Sequence, residues 1–383
     1  MALSALLKPI KVGSITIPNR FIRSPTCELN ADKETGMPSK PLFDIIEAYA
    51  EGKCGLIIPG YVYVDRKGRG LVGQAGFETD EQANAWKPTV DKCHKKGSKI
   101  VFQICHSGIN SESTCPLKGP TGLYPNSSSM TIEEIETTIE NFRKAAIRAY
   151  KIGADGVQIH GAHGYLLSEF LSPAMNFRKD KYGGSDENRM RIVQEITNVI
   201  RSSTPKEFII GIKMNGHDCL DSNGITPQIA AKTVHNLKGI DFFEISCGLH
   251  VNSTIRSINT SKTLYNKLNE QQKSIVKSIV QTKIPSFPFY EGYTVSYAEY
   301  IKSLNPNKII ASVGGHRTFN EMEKVILRGQ ADMISMSRPF LREPDLVKKF
   351  MEGKIKKVAC TSCGECILKS GFHGVAHCYF PKY

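Results

Sequence analysis

The chain has 383 residues, of which 40% are hydrophobic and 23% charged, ordinary globular usage that excludes a disordered or fibrous polymer. No run of about 18 apolar residues occurs, and residues 1–9 lack the charged start and apolar stretch of a secretory signal, so a cytoplasmic protein with no membrane span is expected. The formal charge of +13 is carried by scattered lysines, and the dense groups at Lys95-Lys96 and Lys354 to Lys357 have no interleaved aromatics; this argues against a nucleic-acid partner and leaves a phosphorylated cofactor or anionic substrate to account for part of the excess.

Short apolar runs rich in Ile, Val and Phe recur between longer segments with helical spacing, the rhythm of repeated βα units. In chain order the predicted strands are Phe21 to Ser24, Leu56 to Tyr61, Ile100 to Cys105, Gly156 to His160, Phe208 to Met214, Asp241 to Ser246, Lys308 to Val313 and Asp332 to Met336. Among the helices between them, Thr131 to Ile152 opens with Thr131-Ile132-Glu133-Glu134, a capping box in form. Eight strands alternating with helices favour a single-domain (β/α)8 TIM barrel over residues 1–350, with residues 351–383 as a cysteine-containing tail packed on it. Gly, Pro and Asn concentrate at Gly108 to Ser129 and at Pro285 to Tyr293, which are expected to be active-site loops.

In a barrel the chemistry sits where strands end and βα loops begin. The fourth strand ends in Gln158-Ile159-His160-Gly161-Ala162-His163-Gly164-Tyr165. Two imidazoles can hold an oxygen that gains negative charge and a phenol can deliver a proton, an arrangement suited to reducing an activated C=C bond. A structural histidine pair or two zinc ligands is the alternative, although no third ligand of matching context is evident. The ends of strands seven and eight, Ser312-Val313-Gly314-Gly315-His316-Arg317 and Met336-Ser337-Arg338-Pro339, have the composition of a phosphate site, with Arg338 as the clamp, although a Gly-Gly pair alone can equally be a turn. Gln103 and Lys213 at other strand ends would suit a flat ring with imide-like edges, and a buried lysine there needs a counter-charge or an anionic ligand.

Taken together, Asn19 to Cys27, Gly55 to Ile58, Gln103 to His106, His160 to Pro173 and Tyr182 to Arg189 resemble the Old Yellow Enzyme family of NADH:flavin oxidoreductases, from Pro9 to about Leu346. The resemblance implies FMN at the C-terminal mouth of the barrel. It implies contacts to the flavin from Ser24, Pro25, Thr26, Cys27, Tyr61, Gln103 and Lys213, and phosphate binding by Gly314, Gly315, Ser337 and Arg338. It further implies that His160 and His163 bind the substrate oxygen, that Tyr165 is the proton donor, and that NAD(P)H reduces the flavin before a small molecule bearing an electron-withdrawing group reoxidises it. Cys27 could instead be a small buried residue. Lys213 stands where many members have arginine, Ile109 where a loop arginine is common, and Leu29 where one branch has a substrate-contacting tyrosine, so the substrate stays open, as does homo-oligomer formation.

The odd count of eleven cysteines suggests reduced thiols, with the tail as an exception. There Cys360, Cys363 and Cys366, with Cys378 after an eleven-residue gap, have the spacing of a metal or cluster site. The run resembles the [4Fe–4S] ligands of trimethylamine dehydrogenase and 2,4-dienoyl-CoA reductase. A cluster, a zinc ion and free thiols are all open, and with the first comes the alternative of an iron–sulfur flavoprotein of those types. A cofactor-free binding barrel is a third reading.

Overall fold

The computed structural model describes residues 3–26, 28–112, 117–249, 289–366 and 376–379. Its centre is a closed barrel of eight parallel strands. They are β3 (Phe21–Arg23), β4 (Leu56–Ile57), β6 (Lys99–Cys105), β9 (Gly156–Gly161), β10 (Ile209–Asn215), β11 (Phe242–Ser246), β12 (Ile309–Val313) and β13 (Met333–Met336), each paired to the next and β13 back to β3. All eight predicted strands are present, with ends shifted by a residue or two except in the second. There Leu56 to Tyr61 breaks after Ile57, because Pro59 has no N–H to give the ladder and Gly60 passes so close to Thr26 that a Cβ would lie 1.9 Å from its carbonyl. The chain resumes as β5 (Val62–Tyr63), paired with the outer half of β6.

The barrel strands are buried almost throughout, which is why they read as apolar runs. Inside, Ile22, Leu56, Ile58, Val101, Ile209, Phe242, Ala311 and Met333 form one apolar cluster with Ile10, Val12 and Ile17. The last three belong to a hairpin, β1 (Ile10–Val12) and β2 (Ile15–Ile17), which packs against this interior layer. A larger cluster fills the space between strands and helices. The interior is thus apolar at the N-terminal ends of the strands, and its polar groups gather at the C-terminal ends.

Helix α4 (Ile132–Lys151) carries the expected capping box: Thr131 Oγ1 accepts from Glu134 N at 3.2 Å and Thr131 N donates to Glu134 Oε2 at 2.8 Å. Capping of this kind contributes about 1 kcal/mol and fixes where the helix starts. Among its described residues, the segment from Gly108 to Ser129 holds one helical turn, Gly108–Asn110, and two short paired strands, β7 (Leu117–Gly119) and β8 (Ser127–Ser129). Pro285 to Pro288 of the other expected loop lie outside the described residues. No helix among the described residues is long and apolar enough to cross a membrane.

Candidate active site

Thirteen of the residues expected at the barrel mouth line one cavity of about 580 Å3: Ser24, Pro25, Thr26, Tyr61, Gln103, His160, His163, Tyr165, Lys213, Gly314, Gly315, Ser337 and Arg338. Cys27 lies outside the described residues. The first wall is anchored by a buried ion pair behind it. Arg23 reaches Glu28 at 2.5 Å, donates to Ile58 O at 3.0 Å and lies over the Tyr49 ring, which holds the turn at Ser24 to Thr26 in place.

The acid–base corner follows from the chain's path after β9. His163 has φ +64°, a left-handed conformation costing a side-chain-bearing residue about 1–2 kcal/mol. It is held there by its N–H to Asn215 Oδ1 at 3.3 Å and a bridge to Leu249. The result is that the rings of His160 and His163 meet edge to face at 5.6 Å, with the Tyr165 ring 4.9 Å from His160. The Tyr165 hydroxyl shares a 2.8 Å hydrogen bond with that of Tyr61.

Burial pushes both imidazoles toward the neutral form: His163 falls to about 3, with the Lys213 charge adding to burial, and His160 lies well below its ordinary value, with His163 and Lys213 adding. The tautomer of His160 is fixed, because its Nδ1 accepts the Ala162 N–H at 3.4 Å and the proton therefore sits on Nε2. His163 Nε2 and Ser246 Oγ are 2.7 Å apart. When the serine donates, the histidine carries its proton on Nδ1. The corner therefore offers neutral N–H donors beside a phenol.

On the next strand, beside His160 in register, Lys213 is buried, and burial pulls its pKa down while Glu244 opposes the shift. Its Nζ donates to Ser24 Oγ at 2.7 Å and lies 3.3 Å from Glu244 Oε1. The required counter-charge is thus part of the chain. Sequence reasoning missed Glu244, which sits in the apolar run Phe242–Ser246, and it missed Ser246 as the partner of His163. Strand alternation on β11 could have pointed to both, because it turns them inward together.

At the phosphate end, Gly314 and Gly315 have φ +148° and +77°. A Cβ would come within 2.6 Å of the Tyr293 ring at Gly314 and within 2.9 Å of Gly292 N at Gly315, so glycine is required at both. Thr26 Oγ1 and Ser337 Oγ are 2.6 Å apart. Among the described residues Arg338 Nη1 is buried without a hydrogen-bond partner, an arrangement that costs about 1–3 kcal/mol unless a ligand completes it. A phosphate oxygen would do so, and Gln103 and Lys213 at the far end suit an imide edge. The cavity fits FMN.

The tail touches the barrel beside this end: Arg317 Nη2 donates to Thr361 O at 2.6 Å, and Ser362 and Cys366 line the cavity. Cys360, Cys363, Cys366 and Cys378 line one small hollow with Arg338 and Arg342. Among the described residues, no three His, Cys, Asp or Glu side chains are close enough to hold a metal ion. No disulfide occurs among the described residues.

The profile of the NADH:flavin oxidoreductase / NADH oxidase family, an FMN-dependent group, matches residues 5–357. The chain is 30% identical to an NADPH dehydrogenase of Halalkalibacterium halodurans over 337 residues, 87% of this chain and 90% of that protein. It is 31% identical to an NADH oxidase of Thermoanaerobacter brockii over 369 residues, 92% of this chain but 52% of that longer protein. In structure it is similar to 2-naphthoyl-CoA reductase in complex with 2-naphthoyl-CoA, with a TM-score of 0.83 at 24% identity, covering 97% of this chain and 56% of that one.

Proposed function

The chain belongs to the NADH:flavin oxidoreductase / NADH oxidase family, FMN-dependent enzymes that use NAD(P)H, and from that premise we propose that it passes hydride by a ping-pong route to an activated alkene, a quinone or a nitro compound. The observation that carries this reading is the meeting of two neutral imidazoles and a phenol in the cavity that Gln103, Lys213 and Arg338 also line.

When bound, FMN would supply the two-electron redox chemistry that links NAD(P)H to the oxidant. Gln103 and Lys213 would hold its pyrimidine edge, with backbone contacts from Ser24, Pro25 and Thr26, while Gly314, Gly315, Ser337 and Arg338 would hold its phosphate. Tyr61 keeps the Tyr165 hydroxyl in position through their hydrogen bond. His160 Nε2–H and His163 Nδ1–H donate to the oxygen of the oxidant, which polarises the conjugated bond and stabilises the negative charge developing there. The Tyr165 hydroxyl then delivers the proton to the carbon alpha to the activating group. Neutral donors suit the task, because an imidazolium at this depth would be costly.

Protein purified without oxygen should show twin flavin absorbance bands that bleach with NADH or NADPH and return with an enone or quinone. A featureless spectrum that added FMN cannot change would overturn the reading. Phenols imitate the charged oxygen, so His160→Ala and His163→Ala should each weaken binding of a 4-substituted phenol by about 10- to 100-fold in a spectral titration, the worth of a hydrogen bond to a charged group. With both imidazoles neutral, wild-type affinity between about pH 6 and 9 should follow the ionisation of the phenol alone, with no histidine inflection. Unchanged phenol affinity in both variants would remove the pair from this role.

For the tail we propose that Cys360, Cys363, Cys366 and Cys378, which line one hollow with Arg338 and Arg342, draw together around a [4Fe–4S] cluster, since as placed no three of them are close enough to hold a metal ion and burial pushes the Cys366 thiol up to about 12 against the Arg338 charge. Anaerobically purified protein should then contain about four iron and four acid-labile sulfide per chain. Zinc in their place, or neither, would refute the cluster.

A further inference from the structure

Glu244 has no exposed surface and does not line the cavity, yet it contacts three of the residues that do. Its Oε1 accepts from Ser24 Oγ at 2.8 Å and Ser335 Oγ at 2.6 Å and lies 3.3 Å from Lys213 Nζ, while its Oε2 accepts from Gln158 Nε2 at 2.7 Å. Every partner points a donor at it, the pattern of a carboxylate. Resting on the reading of the cavity as an FMN site, we infer that Glu244 is the positioning residue that sets both the charge and the hydrogen-bond polarity of the wall facing the flavin's pyrimidine edge.

The polarity argument is one of elimination. A carboxylate accepts but cannot donate, so Gln158 must turn its amide N–H toward Glu244 and its carbonyl away. That carbonyl accepts from Gln103 Nε2 at 2.8 Å. Gln103 is therefore fixed with its own carbonyl and second N–H left for the cavity, an acceptor beside a donor, which complements the alternating donor and acceptor of an imide edge. The relay is built into the strand register, because Gln103 on β6 pairs with Gln158 on β9 and Lys213 on β10 pairs with Glu244 on β11. Gly211, opposite Gln158, contributes no side chain.

The charge argument concerns Lys213. With Glu244 beside it, the wall carries a balanced pair, and the cation on the cavity side is partly offset by the anion behind it. Removing the anion leaves Lys213 unopposed against a cofactor whose reduced form is negative at that edge, so the reduced form should gain relative to the oxidised one. A carboxylate serving stability alone would affect neither property of the flavin.

The test uses the flavin-loaded wild type, Glu244→Gln, Glu244→Asp and Gln158→Met. Midpoint potentials are measured by reductive titration against a reference dye, and FMN dissociation constants by adding FMN to the apoproteins. Glu244→Gln should raise the preference for reduced over oxidised FMN by about tenfold, near 30 mV for a two-electron couple, and weaken oxidised FMN by about tenfold. Glu244→Asp, which keeps the charge, should return the potential to the wild-type value. Gln158→Met breaks the relay and keeps the ion pair, so it should weaken FMN by about tenfold with the potential unmoved; this arm still decides the relay if Glu244→Gln does not fold. A Glu244→Gln protein with wild-type potential and FMN affinity overturns the inference while leaving the FMN reading intact, as does an unaltered FMN affinity in Gln158→Met. Wild-type protein that takes up no FMN overturns both.

Discussion

Replacing Tyr165 with phenylalanine should slow reoxidation by an enone by about 10²- to 10⁴-fold, the contribution of a positioned proton donor. The substitution removes one oxygen. The Tyr165 ring stands 4.9 Å from the His160 ring, and its N–H and carbonyl are held in the backbone by Ala162 and Glu169, so a phenylalanine ring keeps the same place. Reduction of the flavin by NAD(P)H needs no proton from this group, and it should stay within about threefold of the wild type, less than 1 kcal/mol. Stopped-flow absorbance separates the two half-reactions, because NAD(P)H under anaerobic conditions reports only the first and an enone mixed with reduced protein only the second. Equal losses in both would sink the proton-donor assignment. Loss in the first alone would place Tyr165 on the nicotinamide instead.

The fold was legible because a parallel barrel buries both faces of its strands and writes them as apolar runs, while α4 announced its first residue by a capping box. The site was legible where polar residues sit at or near the end of such a run and match a family motif, as at Gln103, His160 to Tyr165, Lys213 and Ser337-Arg338. What could not be read lies inside the runs or depends on a dihedral angle. Glu244 is one carboxylate among Phe242, Phe243 and Ile245, and only strand register puts it beside Lys213. The left-handed turn at His163, which brings the two imidazoles together, leaves no mark on its own position, and only Gly164 after it hints at an unusual path. The tail shows the opposite limit. Its cysteine spacing is plain in the sequence, while Leu29, Ile109 and Lys213 mark where the chain departs from the family pattern. The departure at Ile109 has a structural answer, because the residue is buried with Met175 and Leu249 in an apolar cluster and does not line the cavity.

Arg338→Ala should reduce FMN affinity by about 10- to 100-fold and leave riboflavin affinity almost unchanged, because the lost interaction is a charge-assisted contact to the phosphate alone. Among the described residues Arg338 Nη1 is buried with no hydrogen-bond partner, so removing that nitrogen breaks no hydrogen bond of its own and relieves an unmet donor. The apoprotein should therefore hold or gain stability as it loses affinity, the reverse of what a structural arginine would do. The neighbouring arginine, Arg317, is committed to Thr361 O and to the Phe289 ring at 4.4 Å, and it should not substitute. Titrating both flavins into wild-type and variant apoprotein by fluorescence quenching reads the ratio directly. A wild-type protein that prefers FMN and a variant that binds the two alike would place the phosphate against Arg338; parallel losses for FMN and riboflavin would mean that Arg338 shapes the cavity rather than the charge within it.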